Sequence, residues 1–190
     1  MVNRTIKSHS TRAIIVSLCA MSSMVWTTGA LADEHQKQIA QAFAGFEILT
    51  RSDFTEEIQQ TVKTNPALVK GRFNSDQLED FAAIIVDRSK QYGQQGERKY
   101  YLGKLVVCHG AGKGRHQCQV LKEERIHLPY QSYLDRVSPR KLECTIDKDL
   151  NVAEVTLQRD AISWGVPDRG SRVYIYQPDG TYSACHEPFD

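Results

Sequence analysis

The sequence predicts an α+β fold, with N-terminal helices packed on a mostly antiparallel β-sheet and the whole stapled by disulfides. Three observations carry that expectation. Apolar residues recur at helical spacing between residues 33 and 65. From residue 66 onward, short alternating or wholly apolar runs of strand length are separated by turn residues. Four of the five cysteines, an even number, fall in that second region.

Residues 1–32 read as a secretory signal. Arg4, Lys7 and Arg12 make a basic start, Ala13 to Trp26 an apolar run, and Ala30-Leu31-Ala32 a small-x-small cleavage pattern before Asp33. The competing membrane anchor would need about 20 apolar residues, and this run is shorter and broken by serines. Cys19 suggests lipidation, but Leu18 stands where a small residue is wanted. Removing the segment changes the arithmetic. The 190 residues carry 24 basic and 23 acidic side chains, a formal +1. Residues 33–190 keep 21 basic against 23 acidic, a net −2, because the signal takes three basic residues and Cys19 with it. No field of one sign points to nucleic acid as a partner. The product is expected in the periplasm or outside the cell, without membrane insertion, where thiols oxidise.

Along residues 33–65, Ile39, Phe43, Phe46 and Leu49 form a stripe that predicts a helix from Asp33 to about Thr50. A second helix is predicted over Phe54–Thr64. Asp53 and Glu56 suit a capping box, Phe54, Ile58 and Val62 a stripe, and Asn65-Pro66 a stop. Residues 66–190 then form the β-rich part of the same domain. Phe81–Val86 is a buried central strand; Tyr100–Cys108 and Cys118–Ile126 are two more. Leu142, Cys144 and Ile146 alternate with polar residues, as do Val155 with Leu157 and Val173 with Ile175. Pro178-Asp179-Gly180 turns into a last strand at Tyr182–Cys185. Leu128 to Val137 fits either a short helix or an irregular crossing.

Cys108 and Cys118 flank a glycine-rich loop. Paired antiparallel with the cysteines opposite, Val106 faces Val120 and Leu105 faces Leu121, while Lys104 facing Lys122 opposes that register. A hairpin stapled by Cys108–Cys118 is preferred, leaving Cys144–Cys185 by elimination. The alternative is metal: Cys108, His109, His116 and Cys118 are a Cys₂His₂ set, although neighbours on a strand point to opposite faces. The loop lacks phosphate-loop spacing, so Lys113 and Arg115 are expected to be solvated.

Gly71-Arg72-Phe73-Asn74-Ser75-Asp76-Gln77-Leu78-Glu79-Asp80-Phe81-Ala82 resembles the calcium loop of FG-GAP/VCBS-type repeats of secreted bacterial proteins. The resemblance implies ligand positions at Asn74, Asp76 and Asp80, a carbonyl from Leu78, and a strand beginning at Phe81. Arg72 replaces the first acidic ligand, and Ser75 and Gln77 replace both turn glycines. Arg72 is therefore expected to stand in for the ion, paired with Asp76 or Asp80, with no calcium bound. The tail from Arg159 to Thr181 is weakly similar to secreted proteins that carry such loops.

Two function classes remain. A hydrolase or metal protein would use His109 and His116, with His127 and His186 as further bases, yet no spacing matches a named reaction. A binding or structural module, such as a periplasmic hydrolase inhibitor, would present Tyr174, Tyr176, Tyr182 and Trp164 to an envelope or extracellular protein or glycan. The second reading needs fewer assumptions.

Overall fold

A computed structural model describes residues 28–96, 98–145 and 152–187. The signal reading and Cys19 therefore fall largely outside the described residues, as does Ile146. The chain runs α1 (Thr28–Ala42), β1 (Glu47–Ile48), a 3₁₀ turn (Arg51–Asp53), α2 (Glu56–Thr61), β2 (Leu68–Gly71), β3 (Asp80–Gln95), β4 (Arg98–Gly110), β5 (His116–His127), β6 (Tyr133–Val137), β7 (Lys141–Thr145), β8 (Val152–Thr156), β9 (Ala161–Gly165), β10 (Ser171–Tyr176) and β11 (Tyr182–Glu187). The fold is mostly antiparallel β, with fewer helical residues than the sequence predicts.

Both predicted helices are trimmed. The first ends at Ala42, and Gly45 at φ 85° turns the chain out of it, a left-handed conformation that glycine adopts without strain. Phe46 therefore closes the turn and Leu49 lies just after β1, so neither belongs to the helix. The second helix is capped by Thr55, not Asp53. Asp53 instead accepts a hydrogen bond from Thr50 N at 2.8 Å in the preceding 3₁₀ turn.

The strands form two sheets. One has the order β1-β3-β4-β5, with β2 pairing to β3 beyond β1. The other has the order β6-β9-β10-β11-β7-β8. Phe81 to Val86 are all buried, as a strand covered on both faces requires. The ambiguous Leu128–Val137 stretch resolves into a bridge between Tyr130 and Phe54 followed by β6. One core joins Ile39, Ile58, Ile84 and Val107 to Leu134, Ile162 and Tyr174, so both sheets share it. A smaller core gathers Val137, Leu142, Leu157, Ala161 and Val173 around Cys144 and Cys185.

Both disulfides form as predicted, Cys108–Cys118 and Cys144–Cys185. In the β4–β5 hairpin Cys108 faces Cys118 and Val106 faces Val120. The register then shifts by one residue: Leu105 faces Lys122, and Lys104 faces Glu123, with which it forms an ion pair. Leu121 is the extra residue of a β-bulge. The predicted Leu105–Leu121 pair is therefore wrong, and the bulge removes the like-charge conflict that opposed the register. Two disulfides fit an oxidising, non-cytoplasmic compartment. Among the described residues no helix is long and apolar enough to cross a membrane.

Candidate functional site

The loop between β2 and β3 is held together by internal hydrogen bonds to its own carboxylates and carboxamide. Asp80 is fully buried at the start of β3. Its Oδ2 accepts from the backbone N–H groups of Phe73 at 2.8 Å and Asn74 at 3.1 Å, and its Oδ1 from that of Gly110 at 3.0 Å. Gly110 has to be glycine for this approach, since a Cβ there would lie 2.8 Å from the Glu79 carbonyl oxygen. Asn74 Oδ1 accepts from Asp76 N at 3.0 Å, and Asp76 Oδ1 from Leu78 N at 2.9 Å. Gln77 takes φ 67°, the left-handed conformation that the motif's glycine would supply.

Arg72 does not substitute for the ion. Its guanidinium reaches Gln77 Oε1 at 3.4 Å, while its backbone N–H donates to Asp160 at 3.0 Å. The predicted pairing with Asp76 or Asp80 is thus corrected: three amides already satisfy Asp80, and Asp76 bonds Asn74 and Leu78. Thermal melts with added calcium and with EDTA should coincide; a calcium-dependent rise would show that these bonds give way to the ion.

His109 completes the surroundings of Asp80. Its Nδ1 lies 3.3 Å from Asp80 Oδ2, outside hydrogen-bond geometry. Its Nε2 is 3.4 Å from both Gln119 Nε2 and Tyr182 Oη, and its ring sits against Tyr176 and Tyr182 at centroid distances of 5.6 and 6.0 Å. Burial alone would raise the Asp80 carboxyl, but His109 and the amides of Gly110 and Asn74 together hold it below the usual carboxylate range. Burial, with Asp80 and Tyr176 nearby, pushes the Tyr182 phenol up. A buried acid, a histidine and a neutral phenol thus link the two sheets.

The Cys₂His₂ set does not assemble. Both thiols are in the Cys108–Cys118 disulfide, and the pairings His109–Gln117 and Gly110–His116 place the two histidines on opposite faces of the hairpin. Among the described residues no group of three or more His, Cys, Asp or Glu could hold a metal ion. His127 lies against Tyr100, and His186 beside Arg172, so the four histidines do not converge. The aromatic patch is also corrected. Tyr174 is buried in the shared core, Tyr176 and Tyr182 pack on His109, and Lys122 Nζ sits 3.6 Å from the Trp164 ring centroid.

A cleft of about 680 Å³ opens between the β2–β3 loop and the β8–β9 connection. Lys70, Arg72, Arg136 and Arg159 line it against Glu79 and Asp160. Lys70 pairs with Glu79 at 2.9 Å, and Arg136 reaches Asp160 only at 3.9 Å. Arg159 also borders the adjoining hollow, with Tyr176 and Pro178, its guanidinium 5.7 Å from the Tyr176 ring centroid. Sequence reasoning singled out Arg72 here for a different role and missed Arg136, which comes from β6, and Arg159, which comes from the β8–β9 connection. No family model, curated protein or solved structure matches the chain.

Proposed function

We propose that the chain is a secreted or periplasmic binding protein, stapled by its two disulfides, that holds an anionic glycan in the arginine-lined cleft. The observation that carries this reading is the charge imbalance of that cleft, four cations against two carboxylates, in a chain with nearly equal totals of each sign. Arg72 and Arg159 bring guanidiniums that pair readily with carboxylate or sulfate groups. The Tyr176 ring in the adjoining hollow offers the apolar face on which a sugar ring stacks. In this reading the loop resembling FG-GAP/VCBS repeats is calcium-free, α1 and α2 buttress the sheets of one domain, and the chain is not an enzyme. The Asp80–His109 pair then serves to lock the loop that carries Arg72 against β4.

Affinity chromatography on immobilised polygalacturonate, with neutral dextran as the control, tests it. Retention on polygalacturonate alone is expected, weakening as salt screens the guanidiniums. The R72A/R159A double variant should bind at least ~10-fold more weakly, equivalent to ~1.4 kcal/mol. Equal binding by the variant, or equal retention on dextran, would exclude the cleft as an anionic-glycan site. Retention of an acidic protein with none of the polysaccharide would point to a protein ligand instead.

A further inference from the structure

On the face of the first sheet opposite His109, two imidazoles meet beside Phe81. His35 on α1 is 5% exposed, and its Nε2 is buried without a hydrogen-bond partner. His116 opens β5, and its Nδ1 is likewise buried and unpartnered. The two rings lie 6.5 Å apart at 85°, with Phe81 centred 4.4 Å from His35 and 5.2 Å from His116. A buried polar atom left without a partner costs about 1–3 kcal/mol, so two side by side are unusual unless something binds them.

The tautomer favours a ligand at this place. His35 Nδ1 lies 3.5 Å from Gln38 Oε1, and the tautomer that donates from Nδ1 to this oxygen leaves the Nε2 lone pair free. A second group that fixes one ring nitrogen while the other stays bare is the usual support of a metal-binding histidine.

We propose that His35 Nε2 and His116 Nδ1 bind a single copper(I) ion between α1 and the β4–β5 hairpin. With metal–nitrogen bonds of about 2.0 Å, two imidazoles on opposite sides of one ion have centroids about 6.4 Å apart. The observed separation is 6.5 Å. Linear two-nitrogen coordination suits copper(I), whereas zinc wants four ligands, and no third His, Cys, Asp or Glu joins these two among the described residues. The surrounding charges are Lys70, which is paired with Glu79 at 2.9 Å, and Glu34, the acidic neighbour on α1.

Anaerobic titration of the full chain with copper(I), against a chromogenic copper(I) chelator, tests this. One equivalent should outcompete the chelator, and H35Q and H116Q should each lower the affinity at least ~10-fold, or ~1.4 kcal/mol. Silver(I), a redox-inert probe of the same preference, should shift only the His35 and His116 ring-nitrogen resonances of the wild-type chain, a readout independent of how the variants fold. An H35Q/H116Q double variant that binds copper(I) as tightly as wild type, or silver(I) that leaves those resonances unmoved, would overturn the site.

Discussion

Replacing Asp80 by alanine should destabilise the protein by about 3–5 kcal/mol, the cost expected when one side of a buried charged network is removed. The substitution strands the amides of Phe73, Asn74 and Gly110, which now donate to that carboxylate, and leaves His109 without its acid. For a chain of this size, 1 kcal/mol moves the melting temperature by roughly 2–4 °C, so the drop should be on the order of 10 °C. Asp80→Asn keeps the volume and one acceptor, so its loss should be smaller. The charge also has a pH signature. Because the Asp80 carboxyl titrates below its unfolded value, its contribution is complete above about pH 4 and disappears as pH falls through the lower folded value. Wild type and D80A should therefore differ most near neutral pH and converge in acid. Urea unfolding of both across that range measures it, and a constant gap would show that the carboxylate charge contributes nothing.

The same residue shows what a sequence makes legible. The loop resemblance marks Asp80 as an oxygen ligand, and the structure uses it as an acceptor for three N–H groups instead of a cation. Its other partner could not be read, because His109 meets it only through the pairing of β3 with β4, where Phe81 faces Cys108. The hairpin register was readable from two opposed cysteines and an apolar pair. Even its flaw was informative, since the Lys104–Lys122 clash sits next to the bulged Leu121. Alternation in β10 could not reveal that Tyr174 is buried, because burial there depends on a second sheet covering that face. The cleft was illegible for the same reason: Arg136 reaches it from β6 and Arg159 from the β8–β9 connection.

The two disulfides should not contribute equally. Cys144–Cys185 closes a separation of 41 residues and Cys108–Cys118 one of 10. The chain-entropy model assigns about 4 kcal/mol to the longer loop and about 3 to the shorter. Packing widens that difference. Cys108 and Cys118 join strands that also pair along the rest of β4 and β5 and contribute to the main core, so the hairpin keeps its register without the bond. Cys144 and Cys185 lie in the smaller core, where β7 meets β11 at the single described pairing of Thr145 with His186. There the covalent link, the Arg140–Glu187 ion pair and that one pairing tie the β7–β8 hairpin to the rest of its sheet. The double substitution of Cys144 and Cys185 by alanine should therefore lower stability by about 4 kcal/mol or more and free β7–β8 to exchange its amide protons. The Cys108/Cys118 double variant should lose about 3 and keep protection in β4 and β5. Urea midpoints paired with residue-level hydrogen exchange separate the two, and equal losses with β7–β8 still protected would mean that the small core holds that hairpin without its disulfide.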